Sequence, residues 1–188
     1  MNRIPLTLIL MFYFISIHGQ DIAVKTNALY WGTTTPNIGV EFSTGKKTSI
    51  DFIAGYNPWE FNDNKKIKHI LVQPEFRYWT CETFNGHFFG LHGHYGYYNA
   101  GGIKLPFRMF EGLKENRYEG HLWGAGVSYG YQWMIGHRWN FEASIGVGYT
   151  HFTYDRYNCL TCGEWISKEN KNFFGPTKAT LSVIYIIK

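Results

Sequence analysis

The sequence predicts an all-β fold: an eight-stranded antiparallel up-and-down transmembrane β-barrel. Three observations carry it. Eight segments alternate apolar residues with small or polar ones at period two, the signature of strands with two unlike faces. Aromatic residues make up 19% of the chain and stand at the ends of apolar rows, where the rims of membrane barrels hold them. Short connections also alternate with longer ones, as periplasmic turns and external loops do in such barrels.

In chain order, the first strand is expected over 22–31 (IAVKTNALYW). The second, 37–42, sets Ile38, Val40 and Phe42 against Asn37, Gly39 and Glu41. The third, 48–56, sets Ile50, Phe52, Ala54 and Tyr56 against Asp51 and Gly55. The fourth, 68–79, sets Ile70, Val72, Pro74, Phe76 and Tyr78 against Gln73, Glu75 and Arg77. Pro74 cannot donate a ladder hydrogen bond, so a local irregularity is expected there. The fifth, 86–98, sets Phe89, Leu91, Tyr95 and Tyr97 against Gly90, His92, His94 and Gly96. The sixth, 121–133, and the seventh, 139–149, back their apolar rows mainly with glycine, serine, Gln132 and Glu142. The eighth, 177–187, sets Ala179, Leu181, Val183, Tyr185 and Ile187 against Lys178, Thr180 and Ser182. No segment has helical periodicity. The longer connections fall at 57–67, 99–120 and 150–172.

The apolar rows suit lipid. Trp123 and Trp133 lie ten residues apart on one face, as do Trp139 and Tyr149. Ten residues cover about 33 Å of strand, and a tilt of about 40° reduces that to a height of about 25 Å. These four residues are the expected aromatic girdle. A soluble barrel would place the same row against a core, but its solvated face would carry more charge than this glycine-rich one. An eight-stranded barrel is just wide enough to be filled by side chains. The expected interior polar cluster is Glu41, Asp51, Gln73, Glu75, Arg77, His92, His94, Gln132, Glu142 and Lys178. Its carboxylates should pair with Arg77 and Lys178, because an unpaired buried charge is costly. A plugged interior without a diffusive pore follows.

Residues 1–19 read as a signal peptide, with polar Asn2 and Arg3, an apolar run from Leu6 to Ile17 and small Gly19. The barrel domain is then 20–188, exported to the bacterial outer membrane. No later apolar run is long enough for a transmembrane helix. The net charge of +4 forms no dense basic stripe, which argues against nucleic acid. Cys159 and Cys162, in the longest loop, are expected to form a disulfide, because an exported chain meets an oxidising compartment. Cys81, in a turn at the opposite rim, is expected to be unpaired. His92 and His94 could chelate a metal with Glu75, but hydrogen-bonded filler is the plainer reading, so no metal or cofactor is expected. Trp59, Phe61, Phe107, Phe110 and Trp165 are loop contact candidates for a protein or glycan partner.

The runs KTNALYW, QPEFRYW, FNGHFFGLH, GYQW…RWNFE, IGVGY and FGPTK are similar to those of a Bacteroidetes family, domain-of-unknown-function family 3575. The resemblance covers roughly residues 21–187. It implies a small outer-membrane barrel, similar in size to the membrane domain of outer-membrane protein A. It also implies association with cell-surface or fimbrial functions, and it carries over no catalytic residues. Such barrels usually end on an aromatic residue read by the insertion machinery; this chain ends Tyr185-Ile186-Ile187-Lys188, so either Tyr185 serves instead or insertion is less efficient.

The expected role is non-catalytic: a monomeric barrel that anchors and presents external loops for a surface or fimbrial partner or for envelope integrity, and that contacts lipid or lipopolysaccharide. Two alternatives stand beside it. One is a lipocalin-like soluble periplasmic barrel around an apolar ligand. The other is a lipid A-modifying outer-membrane enzyme, with His121, Glu119 and Ser128 as its catalytic candidates.

Overall fold

Alternating residues of high β propensity let each strand bury one face and expose the other. The computed structural model describes residues 21–61, 65–102, 116–158 and 163–187. Its elements are β1 (Ile22–Asn27), α1 (Ala28–Gly32), β2 (Asn37–Gly45), β3 (Thr48–Asn57), β4 (Glu60–Phe61), β5 (Lys65–Trp79), β6 (Gly86–Gly101), β7 (Arg117–Met134), β8 (Trp139–Tyr157) and β9 (Trp165–Ile186). The order β3-β2-β1-β9-β8-β7-β6-β5 closes on itself through β3–β5 pairing, and the two-residue β4 lies beside β5. Eight antiparallel strands therefore form one ring.

The stagger of the ring follows from its register. A row at right angles to the strands runs Trp123–Tyr95–Val72–Ala54–Ile38. It continues through Thr26, one place on from the Lys25–Gly39 pair, to Val183 and Phe141, and returns to β7 at Trp133. That is ten residues from its start on the same strand. A ten-residue stagger around eight strands tilts them by about 40°, the angle at which Trp123 and Trp133 stand about 25 Å apart in height.

One end of the ring carries the tight turns Gly45–Thr48 and 135–138 and the turn 80–85. The other carries α1 and the longer connections. The first strand is shorter than its alternation predicts: β1 stops at Asn27, and Ala28–Gly32 is a helical turn. The reason is a cap. The Asn27 side chain accepts from Leu29 N, opening the helix, and the same amide accepts from Leu181 N and donates to the Ala179 carbonyl, completing the edge of β9 above the last β1 pair.

β7, β8 and β9 run well beyond their expected ends, so residues 117–120 of the expected loop 99–120, and 150–157 and 165–172 of the expected loop 150–172, are strand on the tall side of the ring. The polarity of β7 and β8 reverses above Trp123 and Tyr149. On β8 the outward residues are Trp139, Phe141, Ala143, Ile145, Val147 and Tyr149, then His151, Thr153 and Asp155; the inward ones are Asn140, Glu142 and Ser144, then Phe152 and Tyr154. A search for outward apolar rows ends where that reversal begins.

Candidate functional site: a filled lumen inside an apolar sleeve

The interior is stacked in layers. At the tight-turn end, Trp79, Phe84, Phe88, Ala23 and Ile184 form an apolar plug. Phe84 turns in from the 80–85 turn with φ +66, a conformation that costs a bulky residue energy, and Asn140 Nδ2 holds its carbonyl at 3.0 Å. Trp79 Nε1 donates to Ser49 Oγ at 2.8 Å.

Above the plug lies a charged layer. Arg77 reaches Glu41 at 2.9 Å, Asp51 at 2.8 Å, Glu75 at 2.6 Å and Glu142 at 2.7 Å, every side chain fully buried. Its guanidinium also lies 4.3 Å from the Phe88 ring centre. Lys25 lies 2.5 Å from Glu41 and 3.3 Å from both Asp51 and Glu142. Lys178 meets Glu75 at 2.6 Å, and Ser128 donates to the same carboxylate at 2.5 Å. Breaking such a buried set leaves a charge uncompensated. The layer fits because glycine stands opposite the long side chains: a Cβ on Gly90 would collide with Glu75 and Ser128, and one on Gly146 would come within 2.9 Å of His92.

Higher still, His92 Nε2 meets Thr177 Oγ1 at 2.9 Å and His94 Nε2 meets Thr150 Oγ1 at 2.8 Å. Gln73 spans the lumen, donating to the Thr177 carbonyl at 3.1 Å and accepting from Tyr30 Oη at 3.4 Å. Tyr98, Tyr118, Phe152 and Tyr154 close the top with an aromatic cluster.

All ten residues of the expected polar cluster are buried in this interior. Lys25 was not among them. The signal was present, since Ala23, Lys25 and Asn27 share one face of β1, but a lone lysine in so short a strand reads as an outward charge. Among the described residues no three His, Cys, Asp or Glu side chains are placed to hold a metal ion. The catalytic candidates do not assemble. His121 faces outward and Ser128 inward on β7, and Glu119 is held by Tyr97 and by Asn99 Nδ2.

The sleeve around the lumen is apolar. Trp123, Trp133, Trp139 and Tyr149 are all exposed and outward, and Tyr185 packs on Trp139 with ring centres 5.0 Å apart. Tyr185 thus stands in the lower aromatic row. Two of the contact candidates are tied to the rim by ring hydrogen bonds, Trp59 from the connection between β3 and β4 and Trp165 from a strand end. Trp59 donates through Nε1 to the Thr34 carbonyl at the upper rim. Trp165 opens β9 and donates to Asp155 at 3.0 Å. The Phe61 side chain, Phe107, Phe110, Cys159, Cys162 and residues 1–19 lie outside the described residues; Cys81 is a free, exposed thiol.

The family model described as "Protein of unknown function (DUF3575)" matches residues 5–187. The chain belongs to this family. No curated protein matches it. For this DUF3575 member, the chemistry on display is burial and closure: the layers of the described lumen are occupied by packed or ion-paired side chains, with the buried Gln132 amide left without a hydrogen-bond partner.

Proposed function

We propose that the protein is a non-catalytic outer-membrane barrel that holds a polar wall above the bilayer for contact with surface partners. One observation carries this reading: the reversal of polarity along single strands. Outward residues of β8 are apolar up to Tyr149 and polar from His151, while the inward face changes the opposite way. β7 does the same, with Trp123 followed outward by His121, Glu119 and Arg117. A uniform solvent gives no reason for the switch. A hydrocarbon layer about 25 Å thick, flanked by aromatic residues, does.

The filled lumen supports anchoring over transport. A soluble carrier of an apolar ligand would need an empty apolar interior, and here that volume holds an ion-paired network. The partners fitting this reading are lipid or lipopolysaccharide at the sleeve and a surface or fimbrial protein at the upper wall.

Fractionation tests the proposal. Cells are separated into soluble and outer-membrane fractions, and the detergent-extracted protein is run on gels with and without boiling. The expected result is recovery in the outer membrane with a heat-dependent mobility shift. Recovery in the soluble periplasm with no shift would overturn it.

A further inference from the structure

We propose that Trp31, Thr34, Pro36, Trp59 and Glu60 form a binding site for a pyranose ring at the upper rim. These residues line an open surface depression of about 420 Å³, within the size range of small-ligand sites. Trp31 is 53% exposed and Trp59 48%. Both are rim tryptophans, yet neither ring N–H is turned to its surroundings. Trp31 Nε1 donates to Thr26 Oγ1 at 2.8 Å, and Trp59 Nε1 donates to the Thr34 carbonyl at 2.9 Å. A tryptophan that only anchors a barrel at the interface leaves its polar atom for headgroups and water. Here the polar atom is used to fix the plane, and what remains presented is the apolar ring.

The support beneath the rings is rigid. Thr34 has φ +57, a strained position for a β-branched residue, and strain of this kind persists where the surroundings enforce it, often at ligand clamps. Fully buried Asn57 supplies that enforcement, donating to the Thr33 carbonyl and to Thr35 Oγ1 and accepting from Trp59 N. Both plates are therefore held before any ligand arrives, which lowers the ordering cost of binding.

The chemistry of the walls selects the ligand. Indole faces and the Pro36 ring suit a surface of C–H groups, and the Glu60 carboxylate suits hydroxyl donors. Lys68 lies 2.5 Å from Glu60, so the pair presents little net charge and does not favour a cation. One C–H face with hydroxyls at its edge describes a pyranose. The ring can come from a glycolipid headgroup or from a free glycan.

The test uses the purified full chain in detergent, titrated by tryptophan fluorescence with intact lipopolysaccharide and, separately, with the polysaccharide released from it by mild acid. Saturable binding is expected, weakened at least tenfold by Trp31→Ala or Trp59→Ala and unchanged by Trp165→Ala. Binding of both probes assigns a ring in solution, and binding of intact lipopolysaccharide alone assigns the headgroup. Heat-dependent mobility checks that each variant is folded. If Trp59→Ala is not, Trp59→Phe keeps a ring without the Thr34 bond and should still bind more weakly than wild type. No saturable binding of either probe, or binding indifferent to Trp31 and Trp59, overturns the site. So does binding of tetramethylammonium, abolished by Glu60→Gln, in place of sugar. Binding is read on purified protein, so failure of this titration and failure of the fractionation are separate results.

Discussion

Arg77 is the residue on which the interior turns, because four carboxylates from β2, β3, β5 and β8 converge on one guanidinium. Its planar fork satisfies several acceptors at once, which a lysine cannot do. Arg77→Met is expected to cost about 3–5 kcal/mol, since it leaves buried carboxylates unpaired. The measurement is the urea midpoint for loss of the heat-shifted form in detergent, and an unchanged midpoint would show that the network contributes nothing net. Glycines divide into two kinds at this scale. Gly126 and Gly148 pair directly across β7–β8, and a Cβ on Gly126 would lie 2.9 Å from both Gly148 Cα and His92 Cε1. Outward Gly93 has nothing nearer than 3.8 Å. Gly126→Val should therefore prevent formation of the heat-shifted species, whereas Gly93→Val should leave it intact. Equal behaviour of the two variants would refute this account of the packing.

Asn27 joins three elements, ending β1, starting α1 and completing the β9 edge with one amide. Asn27→Ala removes a helix cap and two edge bonds, a loss of about 1–2 kcal/mol. Hydrogen exchange at Leu29 and Leu181 should rise with it, and exchange confined to neither amide would contradict the role. The alternation that revealed the strands was legible because one face is an exposed apolar row and the other fills a crowded interior. It failed in two places for physical reasons. At 28–32 a local cap outcompeted a continuing apolar pattern. Above Tyr149 and Trp123 the faces exchange polarity, so strand reads as loop when only outward apolar rows are sought. The polar interior was readable in the same way, residue by residue, with Lys25 missed because a lone lysine reads as an outward charge until its three carboxylate partners are brought in from β2, β3 and β8. The Trp31–Trp59 depression was not readable, because it depends on the unusual backbone of Thr34 and on Asn57 bridging two connections.

The whole molecule has a defined up and down. Cys81 lies in the tight-turn end, which the proposed orientation puts in the periplasm. In a chain carrying Cys159→Ser and Cys162→Ser, a membrane-impermeant maleimide should leave Cys81 unlabelled in intact cells and label it once the outer membrane is permeabilised. Labelling in intact cells would invert the orientation. The stacked lumen also predicts no sustained conductance when the protein is placed in a planar bilayer, and steady open channels would show that its layers part.

The ring's rim is uneven: β3 ends at Asn57, β1 gives way to α1, and β7, β8 and β9 continue past the aromatic row. Seen from that end, such a rim resembles a chair more than a tube, with a back of long strands and a low seat where Trp31 and Trp59 lie. A visitor approaching from behind meets only the polar outer surface of the back. One arriving over the seat meets the fixed indoles first. The protein therefore has a front, and its rotation about the ring axis decides which neighbours it can greet.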